Sequence, residues 1–560
     1  MKIYVKGQGS IELSKSDFVA SGGEGSVYAK GQTAYKLYTD PSKMIPVGKL
    51  TELAGITDSS VIKPEKVVTD KSGKPLGYTM QFVRDTYALV QTFPRTFRDR
   101  EGLTPKLALD LVARMQALVE NVHSAGVLVV DLNDMNFLVS QDFQKLYAID
   151  VDSYQTARYP ATALMASIRD WSVQNHDWTE LSDWYSFAIV SFNLFTGIHP
   201  FKGKHPTIKG FEDRMKQNIS VFNPDVRVPN SALPFDVIPQ VYQDWYRAVF
   251  DQGARLPPPG SFSGPILIIP TVRTLTGTNN LDIMELWGFP EPVVNFFEGF
   301  GSIAVVTTNG MFVDQRRVGD STGHAGIAFT PKMNTAMFVY KEPGRLRLFN
   351  SASRTESFLD IRADRVATHD GRVYLQSGTK ILEMVFTEIG GKVVPSTRVA
   401  HTCLEHATKL YPGVAIQNLL GATWASVYPR TGASYQVHIP ELDGLLIMGA
   451  RFDRGVLIVE AGDGTTWDRW VFRFDDDFKT YDIRKTEDVD LTGLNFVCLD
   501  SGICILLTDE EKLELFSVRK GSKGMKVIDD PMVGGDMRLH RHAGQVVFSR
   551  GDKVYRIKMK

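Results

Sequence analysis

The chain changes its hydrophobic period part-way along, and that change constrains its fold more than any single motif. Up to about residue 260 strand-like and helix-like patterns are mixed. Behind Thr104 and Pro105, a capping residue and one suited to the first helical turn, come Leu107, Leu111, Met115, Leu118 and Val122. A second helix is expected from about Asp183 to Phe195, stopped by Gly197 with Pro200 just beyond. Residues 1–85 read instead as short strands separated by Gly, Asp and Pro turns. The stretch 255–265, RLPPPGSFSGP, has the composition of a linker. From about residue 300 the chain is a series of short apolar runs broken by turn dipeptides such as Asn309-Gly310, Asp370-Gly371 and Arg454-Gly455.

That second half carries a weak repeat. Gly371, Gly378, Lys380 and Ile381 have the spacing of Gly544, Gly551, Lys553 and Val554, and Gly455 with Gly462 repeats the interval once more. Hairpins recurring at roughly 40 to 50 residues predict an all-β domain, a β-propeller of about six blades, with a β-sandwich as the alternative. The expected division is therefore 1–83 and 84–260 for two parts of an α+β region, 261–299 for a linker and 300–560 for the all-β domain.

Composition narrows the function classes. In 560 residues, Lys and Arg total 63 against 64 for Asp and Glu, so no global field draws the chain to nucleic acid or anionic lipid. Three cysteines, Cys403, Cys498 and Cys504, make no disulfide framework and suit a reducing compartment. No uncharged apolar run approaches the roughly 18 residues that cross a bilayer. A cytoplasmic protein without nucleic-acid or membrane partners is expected.

Four features of the first half carry chemistry, in a fixed order. Ala20 to Tyr28 is a glycine-rich turn between strands, with Gly22, Gly23 and Gly25, and glycines let backbone amides approach phosphates. Lys36 follows in an apolar and aromatic strand, within reach of nucleotide phosphates. Each alone is explained as well by a flexible hairpin and a solvated strand lysine. More specific is Asp131 with Asn136 five residues on, between a long helix and an apolar strand. The aspartate can accept a hydroxyl proton while the asparagine carbonyl reaches a divalent ion. Asp150 ends the next apolar strand and offers a second hard oxygen ligand, or simply a turn carboxylate. Other clusters have ordinary readings: His540 with His542 as strand alternation, His401, Cys403 and His406 as a polar turn, and Asp475 to Asp477 as a hairpin closure.

Taken together these features resemble the protein kinase superfamily over about residues 15–260. The closer resemblance is to an atypical bacterial and phage branch of Ser/Thr-kinase-like proteins, through Gly22 to Gly25, Asp131 to Asn133 and Asp150 to Gln155. The resemblance implies a two-lobed fold binding ATP with Mg²⁺, or Mn²⁺, between the lobes. It implies ATP contacts from Gly22, Gly23, Gly25, Val27 and Lys36, and from Met80, Gln81, Phe82 and Val83 as gatekeeper and hinge. Asp131 takes the catalytic-loop position, Asn136 and Asp150 the metal positions, Asp183 that of a brace for the catalytic loop, and Glu52 that of the partner of Lys36. The implied activity is phosphoryl transfer to protein Ser/Thr hydroxyls, with the β domain recruiting substrate or anchoring the enzyme.

The chain also departs from the pattern. Ala20 replaces the first loop glycine, and Val129 and Val130 replace the His-Arg pair before the catalytic aspartate. Asp152 stands where a glycine is usual, as a metal ligand or a solvent-facing carboxylate. No Ala-Pro-Glu element precedes Asp183, and Arg255 lacks an obvious glutamate partner. A non-catalytic nucleotide switch or scaffold, and a structural protein such as a phage particle component (then virion-associated), are the alternatives.

Overall fold

The structure, a computed structural model, describes residues 1–22, 24–260, 278, 280–299, 302–321, 325–330, 332, 335–429 and 434–560. The chain divides into two compact units, one of Met1–Arg98 and Leu103–Val272, the other of Asp99–Gly102 and Arg273–Lys560.

The first unit opens with an antiparallel seven-stranded sheet. Its spatial order is Gly9–Glu12, Lys2–Val5, Val67–Thr69, Pro75–Gln81, Thr33–Tyr38, Gly25–Lys30, Phe18–Ser21. Strand alternation sorts its two faces. Tyr35 and Leu37 pack with Ile3, Val5, Leu13 and Val68 as the core of the sheet. Ala34, Lys36 and Tyr38 therefore point the other way. Val27 and Tyr78 stand opposite Lys36 on the two neighbouring strands, and Met80 opposite Ala34.

The helical part follows. Helix Pro105–Ser124 is capped by Thr104, whose hydroxyl accepts the Leu107 N–H at 3.3 Å, and its stripe Leu111, Met115, Leu118 and Val122 is buried. Burying each of those side chains is worth about 1.5–3 kcal/mol. Helix Glu180–Thr196 is buried on nearly all sides, with Phe192 packed edge-on against Tyr246 and Phe250 of helix Gln240–Phe250. Between them, strands Phe137–Ser140 and Leu146–Ala148 form a hairpin that pairs with Thr86–Ala88. A β-sheet part followed by a mainly helical part is the α+β order expected of this half of the chain. Arg255 does find a partner: it makes a two-pronged ion pair with Asp170, at 2.5 and 2.7 Å, and stacks over Tyr185.

The second unit is all-β. Among the described residues it forms seven four-stranded antiparallel sheets, against the six blades expected. Six are continuous in sequence. The remaining one joins Leu281–Gly288 to the last three strands, with Leu281 opposite Met559 and Gly288 opposite Lys553. The linker expected over 261–299 is thus a mis-assignment at its C-terminal end, since Leu281–Gly288 and Val293–Gly299 are strands. Its residues 261–277 and 279 lie outside the described residues.

Each sheet buries both faces, which is why its inner strands read as unbroken apolar runs. Ile303 and Val305 pack against Val547 and Val554 of the sheet before, whereas Ala304 and Val306 pack against Ile327 and Phe338 of the sheet after. Equivalent clusters join every consecutive pair, and the seventh sheet meets the first through Val497, Ile505, Leu539 and Phe548. A closed cycle of sheets is the arrangement of propeller blades and not that of a two-sheet sandwich. Two of the three dipeptides are hairpin turns with both residues left-handed, Asp370 and Gly371 at φ 47° and 70°, Arg454 and Gly455 at 49° and 82°, whereas Gly310 already begins a strand. Asp475 closes its hairpin by accepting from Lys479 and Thr480, as its spacing predicts. His540 is a half-buried strand residue whose ring lies tilted against Phe296, with burial pushing its pKa down to about 3. Among the described residues no helix is long and apolar enough to cross a membrane.

One buried carboxyl makes this unit sensitive to pH. Glu460 stands opposite Arg469, but that guanidinium is held by Asp509 at 2.8 Å. Burial pushes the Glu460 pKa up to about 8. Unfolded, the group ionises near pH 4.3. Between those values the native state holds a proton that the unfolded state has lost, so stability falls as pH rises from about 4.3 to about 8. Glu460→Gln is expected to flatten that fall and raise the unfolding midpoint at pH 8, read by thermal melts at pH 5 and pH 8. A variant less stable than wild type at pH 8 would contradict this.

Candidate active site

The face of the sheet that carries Lys36 looks onto the end of the hairpin Phe137–Ser140 and Leu146–Ala148. The Lys36 ammonium donates to Asp150 Oδ1 at 2.9 Å and to Asp152 Oδ2 at 2.8 Å, and lies 3.6 Å from Glu24. Burial alone would depress its pKa. The carboxylates, Asp152 first, outweigh burial and hold it above the ordinary lysine value. Asp152 is not solvent-facing: its side chain is 3% exposed, and its Oδ2 also accepts the Tyr38 hydroxyl at 2.5 Å.

Glu52, the expected partner of Lys36, sits elsewhere. It is bound by the Arg158 side chain and accepts the Arg158 N–H at 3.4 Å. The helix that carries it, Val47–Leu53, turns Lys49 inward instead. That side chain is buried and donates to the carbonyl of Asp152 at 2.7 Å, and burial lowers its pKa to about 8.

The glycine turn precedes strand Gly25–Lys30. A Cβ on Gly25 would lie 2.2 Å from the carbonyl oxygen of Leu37, so the close approach of the neighbouring strand requires glycine there. Gly22 closes the turn by donating its N–H to Gly25 O at 2.9 Å, and Gly23 lies outside the described residues. On the far side of the sheet Met80 and Gln81 end strand Pro75–Gln81. Phe82 donates its N–H to Gln32 O at 2.9 Å, and Val83 follows half-buried.

The loop before Phe137 gathers the rest. Asp131 is buried. Its Oδ2 accepts from Asn133 Nδ2 at 2.9 Å and Asn136 Nδ2 at 3.3 Å, while Asn136 Nδ2 also reaches Asp131 O at 3.0 Å. The other oxygen, Oδ1, accepts the N–H of Met165 at 2.8 Å. Burial pushes the Asp131 pKa up, and those three donors oppose the shift. Asn136 O accepts the Ile149 N–H at 2.9 Å, which ties the asparagine to the residue just before Asp150.

Asp183, at the start of the buried helix, braces this loop. Its Oδ2 accepts the Val129 N–H at 2.8 Å and contacts His123 Nε2 at 2.9 Å, and its Oδ1 accepts the Val130 N–H at 2.8 Å. Val130 has φ 62°, a left-handed conformation that a β-branched residue adopts only when its surroundings impose it. Sequence reasoning missed Tyr38, Tyr78, Lys49, Met165 and Asp170. Only Tyr38 had a local signal, lying two residues from Lys36 and so on the same strand face.

No family model and no curated protein matches the chain. Among solved structures, the Cydia pomonella granulovirus kinase PK-1 is similar over 43% of this chain and 87% of that chain, at 12% identity and a TM-score of 0.33.

Proposed function

We propose that the first unit transfers a phosphoryl group from ATP, in a magnesium- or manganese-dependent reaction, to Ser or Thr hydroxyls of a protein, and that the β unit recruits that protein or anchors the enzyme. The observation that carries this reading is the meeting of Lys36 and Asp150 at 2.9 Å, with Asn136 tied to the same strand end and Asp131 bonded to Asn136. The donor set fits the group. With its Nδ2 turned to Asp131, Asn136 has an amide oxygen to offer beside the half-exposed Asp150 carboxylate. Magnesium takes one or two such ligands and keeps several waters.

Bound Mg-ATP supplies the transferred phosphoryl group and offsets its charge. Lys36 binds phosphate oxygens from the sheet side, with Val27 and Met80 lining the same face and Gln81 to Val83 at the strand end. Asp131 accepts the proton of the attacking hydroxyl, and Asn133 fixes the carboxylate plane. Asn133 takes the position where Ser/Thr kinases place a lysine, and its short amide reaches Asp131 in place of the transferred phosphate.

Incubation with γ-labelled ATP and Mg²⁺ or Mn²⁺ tests the reading. Label on Ser or Thr from wild type, and none from Asp150→Ala, supports it; no metal-dependent label with any tested protein overturns it. One observation favours a second reading, a nucleotide-binding switch without transfer: Asp131 Oδ1 is already taken by the Met165 N–H. Met165→Pro removes that donor at a residue whose φ of −80° is close to proline's own. Losing a charge-assisted bond of about 1.5 kcal/mol should free Asp131 and raise the transfer rate about tenfold. ATP binding with no label from either wild type or the variant would favour the switch.

A further inference from the structure

We propose that Asp152, and no carboxylate of helix Val47–Leu53, is the fixed counter-charge that positions Lys36 for nucleotide phosphates, leaving Asp150 free to act on the metal. The proposal rests on the nucleotide-site reading above and assigns within it a positioning residue.

Lys36 touches three carboxylates that differ in freedom. Asp150 and Glu24 are each 52% exposed, whereas Asp152 is 3% exposed. Asp152 is held from several sides. Its Oδ2 accepts from Lys36 and Tyr38, and its carbonyl accepts from buried Lys49. Its Oδ1 is buried without a hydrogen-bond partner, so the carboxylate has no competing attachment that would draw it off Lys36. Asp150 has no such restraint on its outer oxygen and sits at a left-handed turn, φ 59°, where the chain leaves the hairpin.

The helix supplies no alternative. Its inward side chain is a cation, Lys49, and its one carboxylate, Glu52, is occupied by Arg158. An ammonium shared by two carboxylates can give up one on meeting phosphate. Exposure decides which: Asp150 exchanges Lys36 for water or metal at little cost, while removing Asp152 from Lys36 would strand a buried charge. Asp152 thus keeps the lysine extended toward the cleft. Tyr38, on the same strand as Lys36, keeps Asp152 in turn.

The test measures ATP affinity of the full chain in EDTA, where the metal ligands drop out, for wild type, Asp152→Asn, Lys36→Met and the double variant. Asp152→Asn is expected to weaken binding about tenfold (about 1.4 kcal/mol) in the wild-type background and not at all in the Lys36→Met background. Equal losses in both backgrounds, or none in the first, overturn the proposal. Glu52→Gln should leave affinity unchanged; a loss there as large as that of Asp152→Asn also overturns it. If Asp152→Asn fails to fold, Tyr38→Phe removes one bond to the same oxygen and should give a smaller loss that again vanishes with Lys36→Met. Wild type that binds no ATP, with or without metal, refutes the nucleotide-site reading itself and the proposal with it.

Discussion

Asp183→Ala is expected to lower the unfolding midpoint of the first unit by about 10 °C. The carboxylate is fully buried and satisfies the N–H groups of Val129 and Val130 together with the His123 ring. Each orphaned buried donor costs about 1–3 kcal/mol, and the three share one partner, so about 4 kcal/mol is a reasonable total. At about 2–4 °C per kcal/mol for a unit of this size, the shift follows. The left-handed Val130 adds to the effect, because its conformation has no other visible support. Asp183→Asn keeps one acceptor oxygen and turns an amide toward a donor, so it should fall between. Calorimetry decides: a midpoint within about 2 °C of wild type for the alanine variant would mean that the loop is braced from elsewhere.

Asp131→Asn is expected to lower phosphoryl transfer about 10³-fold while leaving ATP affinity near wild type. Asparagine preserves the shape and one acceptor for the Met165 N–H, but it takes no proton from a hydroxyl. Asp131 reaches Asn133 and Asn136 and makes no bond to Lys36, so the nucleotide side of the cleft is untouched. Steady-state kinetics with ATP varied at fixed protein substrate separate the two effects. A fall confined to kcat agrees with a base acting on the acceptor hydroxyl. A rise in the KM for ATP with kcat unchanged would place Asp131 among the nucleotide contacts instead.

What could be read from the sequence was local and periodic. Helix Pro105–Ser124 announced itself through its cap, its proline and its apolar stripe. Lys36 stands out through the same alternation that buries Tyr35 and Leu37 on the opposite face. Asp131, Asn136 and Asp150 were found because a helix, a loop and a hairpin frame them at fixed spacing. What failed depended on orientation or on distance in sequence. Glu52 is the one carboxylate of its short helix, and nothing in seven residues tells which charged side chain turns inward; Lys49 is buried along with Leu50 and Leu53. Asp170 pairs with Arg255 across 85 residues, so no motif spacing revealed it. Asp152 looked like a turn residue because its partners, Lys36 and Tyr38, come from another sheet more than a hundred residues earlier.

The seventh sheet is hidden in the sequence for a related reason. One sheet takes a strand from each end of its unit, and Leu281–Gly288 includes Asp282 and Glu285 in a stretch without clean alternation. Only its pairing with Lys553–Met559 identifies it as a strand, and that pairing spans almost the whole unit.

The central claim is that Lys36 and Asp150 serve one nucleotide site, and equilibrium titration with ATP in Mg²⁺ and in EDTA tests it most directly. The account predicts one ATP per chain for wild type, weakened by Lys36→Ala under both conditions. Asp150→Ala should lose the strengthening that magnesium gives while binding ATP in EDTA about as well as wild type does. Affinity that ignores both substitutions, or that responds to magnesium equally with and without Asp150, would contradict it.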